Sequence, residues 1–206
     1  MVFTIVALIG TIISIILGLT IGVNVLGFTD GYIIRSVANT LLLLVGINII
    51  IASCSKLFLK KINPMSKRYQ VHDWEDKFYV KLGIRKWKDK IPELGKLFAG
   101  FDKSQVGDMK DNEHVKQFIA ETILAEYIHV SSAILGLLAV FGCLQTWYIV
   151  GLPLLLANFI INIMPAMVQR YNRPKLMLLY KRNERNMQKQ AQSQAEQAEQ
   201  QSKGQV

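Results

Sequence analysis

The run Glu121-Thr122-Ile123-Leu124-Ala125-Glu126-Tyr127-Ile128-His129 opens an apolar stretch that continues to Val168. Its reading decides the fold, because a helix in this apolar stretch carries ionisable groups only in its first turns. Such groups are costly in hydrocarbon and persist where they face a polar cavity with a task. At about 100° per residue, Glu121, Thr122, Glu126 and His129 share an arc of roughly 140°. Glu126 and His129 are i,i+3 neighbours, a spacing at which a carboxylate can hold an imidazole. The pattern points to chemistry at a membrane surface.

Working outward, the rest of the chain repeats the apolar theme. Hydrophobic residues make up 51% of the 206, and they come in blocks. Val2 to Phe28 contains no charge, and Tyr32 to Leu59 is interrupted only by Arg35 and Lys56 near its ends. Each block is long enough to cross about 30 Å of hydrocarbon as a helix. The first block has no basic n-region and exceeds a signal-peptide core, so a retained span is expected. In the second apolar half, Gly142, Gln145, Thr146 and Trp147 break the run, with Gly151 and Pro153 following. This predicts helices over about 122–143 and 148–168 joined by a tight turn. They either cross or form a shallow re-entrant pair. The expected fold class is an all-α membrane protein with about four transmembrane or re-entrant helices and an interfacial cytoplasmic helical segment.

Charge orients these blocks. The formal net charge is +9, no Lys or Arg precedes Arg35, and the Lys56–Lys116 region and the chain after Arg170 are basic. The positive-inside rule puts those segments in the cytoplasm and the Thr29-Asp30-Gly31 turn outside. The expectation is a multi-pass cell-membrane protein whose site faces the cytoplasm, with anionic lipid or an acidic protein as partner. Nucleic acid is not expected, because the basic residues flank spans and form no binding motif. Cys54 and Cys143 are expected to be packing residues.

Residues 60–118 mix Trp74, Phe78, Tyr79 and Trp87 with charges, as suits the head-group zone. Interfacial helices are expected at about 65–82 and 84–90, then a break at Pro92 and Gly95. A long helix should begin near Asp111 or Asn112, a capping position. The Gln-rich tail from Gln188 has no apolar face and is expected to be disordered or loosely helical.

Three motifs carry the chemistry. In Arg85-Lys86-Trp87-Lys88, the cations either form a snorkelling belt or bind phosphate or an acidic carrier, with Asp89 as a cap or pairing group. In the second, His129 is the candidate general base, Glu126 its support and Glu121 a substrate-orienting group. A Glu-x-x-His step also occurs in di-iron bundles, but those need a second such step, so no metal is expected. The third is Gln169-Arg170-Tyr171-Asn172-Arg173, where Pro174 should turn Arg173 out of helix. Asn162, two turns inside, completes the polar set. No Ser or Cys occupies a nucleophile elbow.

These blocks, with Lys175-Leu176, closely resemble the bacterial glycosyl-4,4'-diaponeurosporenoate acyltransferases from about Glu75 to Leu176. The resemblance implies transfer of a fatty acyl group to a sugar hydroxyl of a carotenoid glycoside, as in staphyloxanthin synthesis, or of another glycolipid. It divides the chain into two N-terminal spans (1–59), an acyltransferase-like core (60–176) and a tail (177–206). No bound cofactor is implied. The co-substrate is an activated acyl donor, acyl carrier protein or coenzyme A thioester, and the partners are membrane lipids, the lipid-glycoside acceptor and the carrier protein. Competing readings are a non-enzymatic lipid-binding adaptor, a small proton-relaying transporter and a metal-dependent membrane hydrolase or oxidase.

Overall fold

The computed structural model describes residues 2–55, 57, 62–88 and 111–203. Among these the chain is helical with no strand. Helix α1 (Val2–Leu17) loosens into a π-helical turn over Gly18–Val23, and α2 (Asp30–Ser55) returns beside it. Gly27, at φ +75°, supplies the left-handed residue in the turn between them. A 3-10 turn (Lys67–Tyr69) and two short helices, α3 (Asp73–Lys81) and α4 (Ile84–Trp87), follow. Helix α3 is shorter than the expected helix over 65–82, and the end of the expected 84–90 helix, with the Asp89, Pro92 and Gly95 readings, lies outside the described residues.

Helix α5 spans Asn112–Leu135 and begins where the sequence placed it. Asp111 caps it by accepting from the Glu113 N–H at 3.0 Å. It then tightens into a 3-10 segment (Gly136–Thr146), breaks helical geometry at Cys143 (φ −144°, ψ 40°), and re-forms through a π turn (Trp147–Gly151) into α6 (Leu152–Lys203). Three stretches are long and apolar enough to cross a membrane: Val2–Val23, Asp30–Ser55 and Asn112–Gln197, the last containing the break.

The last stretch folds back on itself. Asn162 meets His129, and Arg173 meets Thr122 and Glu126, so α5 and α6 run antiparallel. Phe3 packs with Val168 and Tyr171, whereas Gly22 lies against Ile33 and Ile149 at the opposite end. The helical passages therefore alternate in direction, and the N-terminus of α1 shares one end with the charged residues of α6. Close packing depends on small residues along α1, as is usual where lipid gives helices no hydrophobic drive to associate. A Cβ on Gly10 would come within 2.7 Å of the Ala157 Cβ, and one on Gly18 within 2.4 Å of the Ile33 Cγ2. Between them Ser14 donates to the Val150 carbonyl at 2.9 Å. On the outward faces, Leu8, Ile12, Ile16, Leu42, Ile50 and Phe141 are exposed, as lipid-facing side chains would be.

Two expectations need correction, and a third settles on one of its alternatives. The tail is helical to Lys203, because Ala-, Gln-, Glu- and Lys-rich sequence extends an existing helix without a new nucleation step. Pro174 lies inside α6 and Arg173 stays helical. Its buried guanidinium is held by three acceptors on other segments, which override the local bias of a pre-proline residue. Of the two cysteines, Cys143 is buried in the core but Cys54 is exposed.

Candidate functional site

Four charged side chains meet where α3 crosses the open end of the α5–α6 hairpin. Arg170 presents Nε and Nη2 to the two oxygens of Glu75, the Nη2–Oε1 bond being 2.9 Å. Its Nη1 donates to Glu126 Oε1 at 2.9 Å. The other oxygen of Glu126 accepts from Arg173 Nη2. Arg173 also donates to the Tyr69 carbonyl at 3.2 Å and has only 1% of its surface exposed. Two carboxylates and two guanidinium groups thus cancel in one bonded row, the arrangement in which charges tolerate burial.

Glu75 is set in place locally. It lies in the first turn of α3 and accepts from the His72 N–H at 3.1 Å, as a capping residue does. The Arg170 hydrogen bond holds its carboxyl below the usual carboxylate range, against the opposing effect of burial. Tyr79, one turn on, donates to Glu75 Oε2 at 3.4 Å. Burial, with the Glu75 charge behind it, pushes the Tyr79 phenol up to about 12.

On the outer side of this row, Arg85 Nε donates to the Tyr171 hydroxyl at 3.0 Å. Lys175 Nζ stands 4.6 Å from the Tyr171 ring centre. Trp87 packs against the cluster that contains Ile84 and Tyr171, its indole N–H donating to the Leu82 carbonyl at 3.2 Å. On the inner side the polar residues are amides and an imidazole. His129 Nδ1 lies 3.2 Å from Asn162 Oδ1, and Asn162 connects to Asn158 and Asn48. From Asn162 to Tyr171 is nine residues, about 13 Å along a helix.

This pattern of residues matches the family model of CrtO, glycosyl-4,4'-diaponeurosporenoate acyltransferase, over residues 65–182. The chain belongs to the CrtO family. No curated protein and no solved structure matches it.

Within this CrtO-family chain, the three sequence blocks are joined by side-chain bonds: Arg85 to Tyr171, and Glu126 to Arg170 and Arg173. One pairing is corrected. Glu126 does not support His129, because both of its oxygens are taken by guanidinium groups and the ring is held by Asn162 instead. Glu121 accepts from Gln117 at 3.1 Å on its own helix and makes no bond to the charged row among the described residues. Lys86 is exposed, Lys88 half-buried, and Gln169 and Asn172 half-buried on α6.

Sequence reasoning missed Glu75, Asn48, Asn158 and Tyr69. Asn48 and Asn158 carried a usable signal, since each interrupts an apolar run as Asn162 does. Glu75 carried only its capping position, and its partner Arg170 is 95 residues away. Tyr69 takes part through its backbone carbonyl, which no side-chain pattern reports.

Proposed function

We propose that this chain moves a fatty acyl group from an activated thioester to a sugar hydroxyl of a lipid glycoside in the membrane. The observation that carries this reading is the half-buried ring of His129. Asn162 holds it through Nδ1, and Nε2 has no hydrogen-bond partner among the described residues. It lies one helical turn below a charge-balanced row, where a sugar on a lipid anchor can reach it from the side.

In the reaction, Nε2 removes the hydroxyl proton as the sugar oxygen bonds to the acyl carbonyl carbon. The carbon–sulfur bond of the tetrahedral adduct then breaks, and the thiolate takes the proton back from the imidazolium. The sugar ester and a free thiol remain. Arg170, near the level of Glu126, is the cation closest along α6 to the developing oxyanion. Arg85 and Lys175, both held at Tyr171, lie about 13 Å along α6 from Asn162, the level of His129, with the lysines flanking Trp87 at the same end. They suit the phosphate of a coenzyme A or carrier-protein thioester, which sits well away from its carbonyl. Flanking positive charge supports a cytoplasmic approach of that donor. Carotenoid glycosides and other glycolipids both meet the description of the acceptor.

Membranes containing the His129→Ala variant, supplied with acyl thioester and lipid glycoside, should lose about 10²–10⁴-fold in turnover with helical content unchanged. Near-normal turnover removes His129 from the reaction. Lipid extracts of expressing cells should contain a glycolipid heavier by one acyl group. An unchanged extract would favour a lipid-binding adaptor.

A further inference from the structure

Asn48 of α2 and Asn158 and Asn162 of α6 lie in apolar helices, and each amide is oriented by a backbone carbonyl. Asn48 Nδ2 donates to the Leu44 carbonyl at 2.7 Å, Asn158 Nδ2 to that of Ser132 at 3.2 Å, and Asn162 Nδ2 to that of Asn158 at 3.0 Å. A carbonyl only accepts, so turning any of these amides over would set oxygen against oxygen. With the nitrogens fixed, the side-chain oxygens become the acceptors. Asn158 Oδ1 takes bonds from Asn48 at 3.2 Å and from Asn162 at 3.1 Å. Asn162 Oδ1 is then left facing His129 Nδ1 at 3.2 Å. An acceptor at that position requires the proton on Nδ1.

We infer that Asn48, Asn158 and Asn162 form a relay that holds neutral His129 as its Nδ1–H tautomer and leaves the lone pair on Nε2. Free imidazole side chains in water favour the opposite tautomer, so the relay reverses an intrinsic preference. Asn162 is on this account a positioning residue and not a substrate contact. Gly136 belongs to the device, since a Cβ there would come within 2.2 Å of Asn158 Nδ2. The catalytic value of the relay rests on the proposed role of His129 as base. The tautomer itself does not.

The test is nitrogen NMR of the full chain, labelled with ¹⁵N-histidine in lipid bilayers, at a pH where the ring is neutral. The chain has three histidines, and loss of one signal in His129→Gln assigns the third. The expected spectrum has a protonated Nδ1 and a bare Nε2 for His129. Asn162→Leu should lose that single tautomer, and Asn162→Asp, which keeps an acceptor oxygen, should retain it. A protonated Nε2 in the unsubstituted protein overturns the inference, as does an unchanged signal in Asn162→Leu. The spectrum of the unsubstituted chain decides the tautomer even if the leucine variant does not fold. Its outcome also separates from the activity test. An Nδ1–H ring with full turnover in His129→Ala defeats the enzymatic reading alone. An Nε2–H ring with an inactive His129→Ala defeats the relay alone.

Discussion

Two polar layers stack along the same hairpin, and they solve burial differently. The outer layer, Glu75, Arg170, Glu126 and Arg173, is ionic and sums to zero charge. The inner layer, His129, Asn162, Asn158 and Asn48, is formed by amides and an imidazole. The ionic layer lies at the end of the hairpin that carries the exposed Arg85 and Lys175, and the amide layer one helical turn deeper, an order that suits the rising cost of ionised groups with depth in a bilayer. The ionic layer ties α3 to the hairpin through mutual dependence. The amide layer instead aims one ring. The first should therefore fail catastrophically when broken, and the second should fail in function before it fails in stability.

Glu126→Ala gives that contrast its most severe test. It leaves Arg173 with no carboxylate partner in a site only 1% exposed. The expected loss is about 3–5 kcal/mol, because an uncompensated buried charge is left behind. Thermal or denaturant unfolding in bilayer discs measures it. Replacing both partners, as in Glu126→Leu with Arg173→Met, should recover much of that loss. If the single variant is as stable as the parent, the ionic layer is not a clasp.

Glu75→Gln is milder, since Arg170 keeps its bond to Glu126. About 1.5–3 kcal/mol is expected near neutral pH for the charge-assisted bonds lost. The Arg170 contact depresses the folded-state pKa of Glu75. Its stabilisation is therefore complete above the ordinary carboxylate pKa and disappears as the pH falls through the lower folded value. The gap between parent and variant should close on acidification over that interval. A gap that stays constant would detach the stabilisation from the carboxylate charge.

The contrast also explains what could be read from the sequence. Length and apolarity of the blocks were sufficient for the membrane helices, and Asp111 marked the start of α5, because both are local properties. The partner of Glu126 was not local. Sequence spacing offered His129 three residues on, whereas the guanidinium groups of Arg170 and Arg173 arrive from the far arm of the hairpin. Helix α6 was likewise cut short by local signals at Pro174 and the Gln-rich tail. Cross-helix bonds to Arg173 and the helix propensity of the tail outweighed both.

Gly136→Ala probes the inner layer by adding one methyl group. The new Cβ would meet the Asn158 amide, and overpacking of this kind costs about 1–3 kcal/mol. Turnover should fall further than stability alone explains, because the displaced amide no longer orients Asn162. Equal losses in both would make the amide layer ordinary packing.

Tyr79→Phe is the smallest change and the one that reads the outer layer from its edge. At neutral pH it removes a long 3.4 Å bond to Glu75, so the loss should be at the low end of the range of about 0.5–1.5 kcal/mol for a hydrogen bond. Alkaline pH makes the variant informative. Burial first, and the neighbouring Glu75 charge second, raise the Tyr79 pKa from 10.0 to about 12. In that interval the unfolded chain has released the phenolic proton while the folded chain keeps it. The unfolded state thus binds fewer protons, and stability falls as pH rises. The parent should lose stability between those values by an amount that Tyr79→Phe does not share. All other ionisable groups are common to both proteins and cancel in the difference. The two stability curves should therefore converge or cross above pH 10. If they stay parallel, the Tyr79 ring is solvated and the outer layer ends at Glu75.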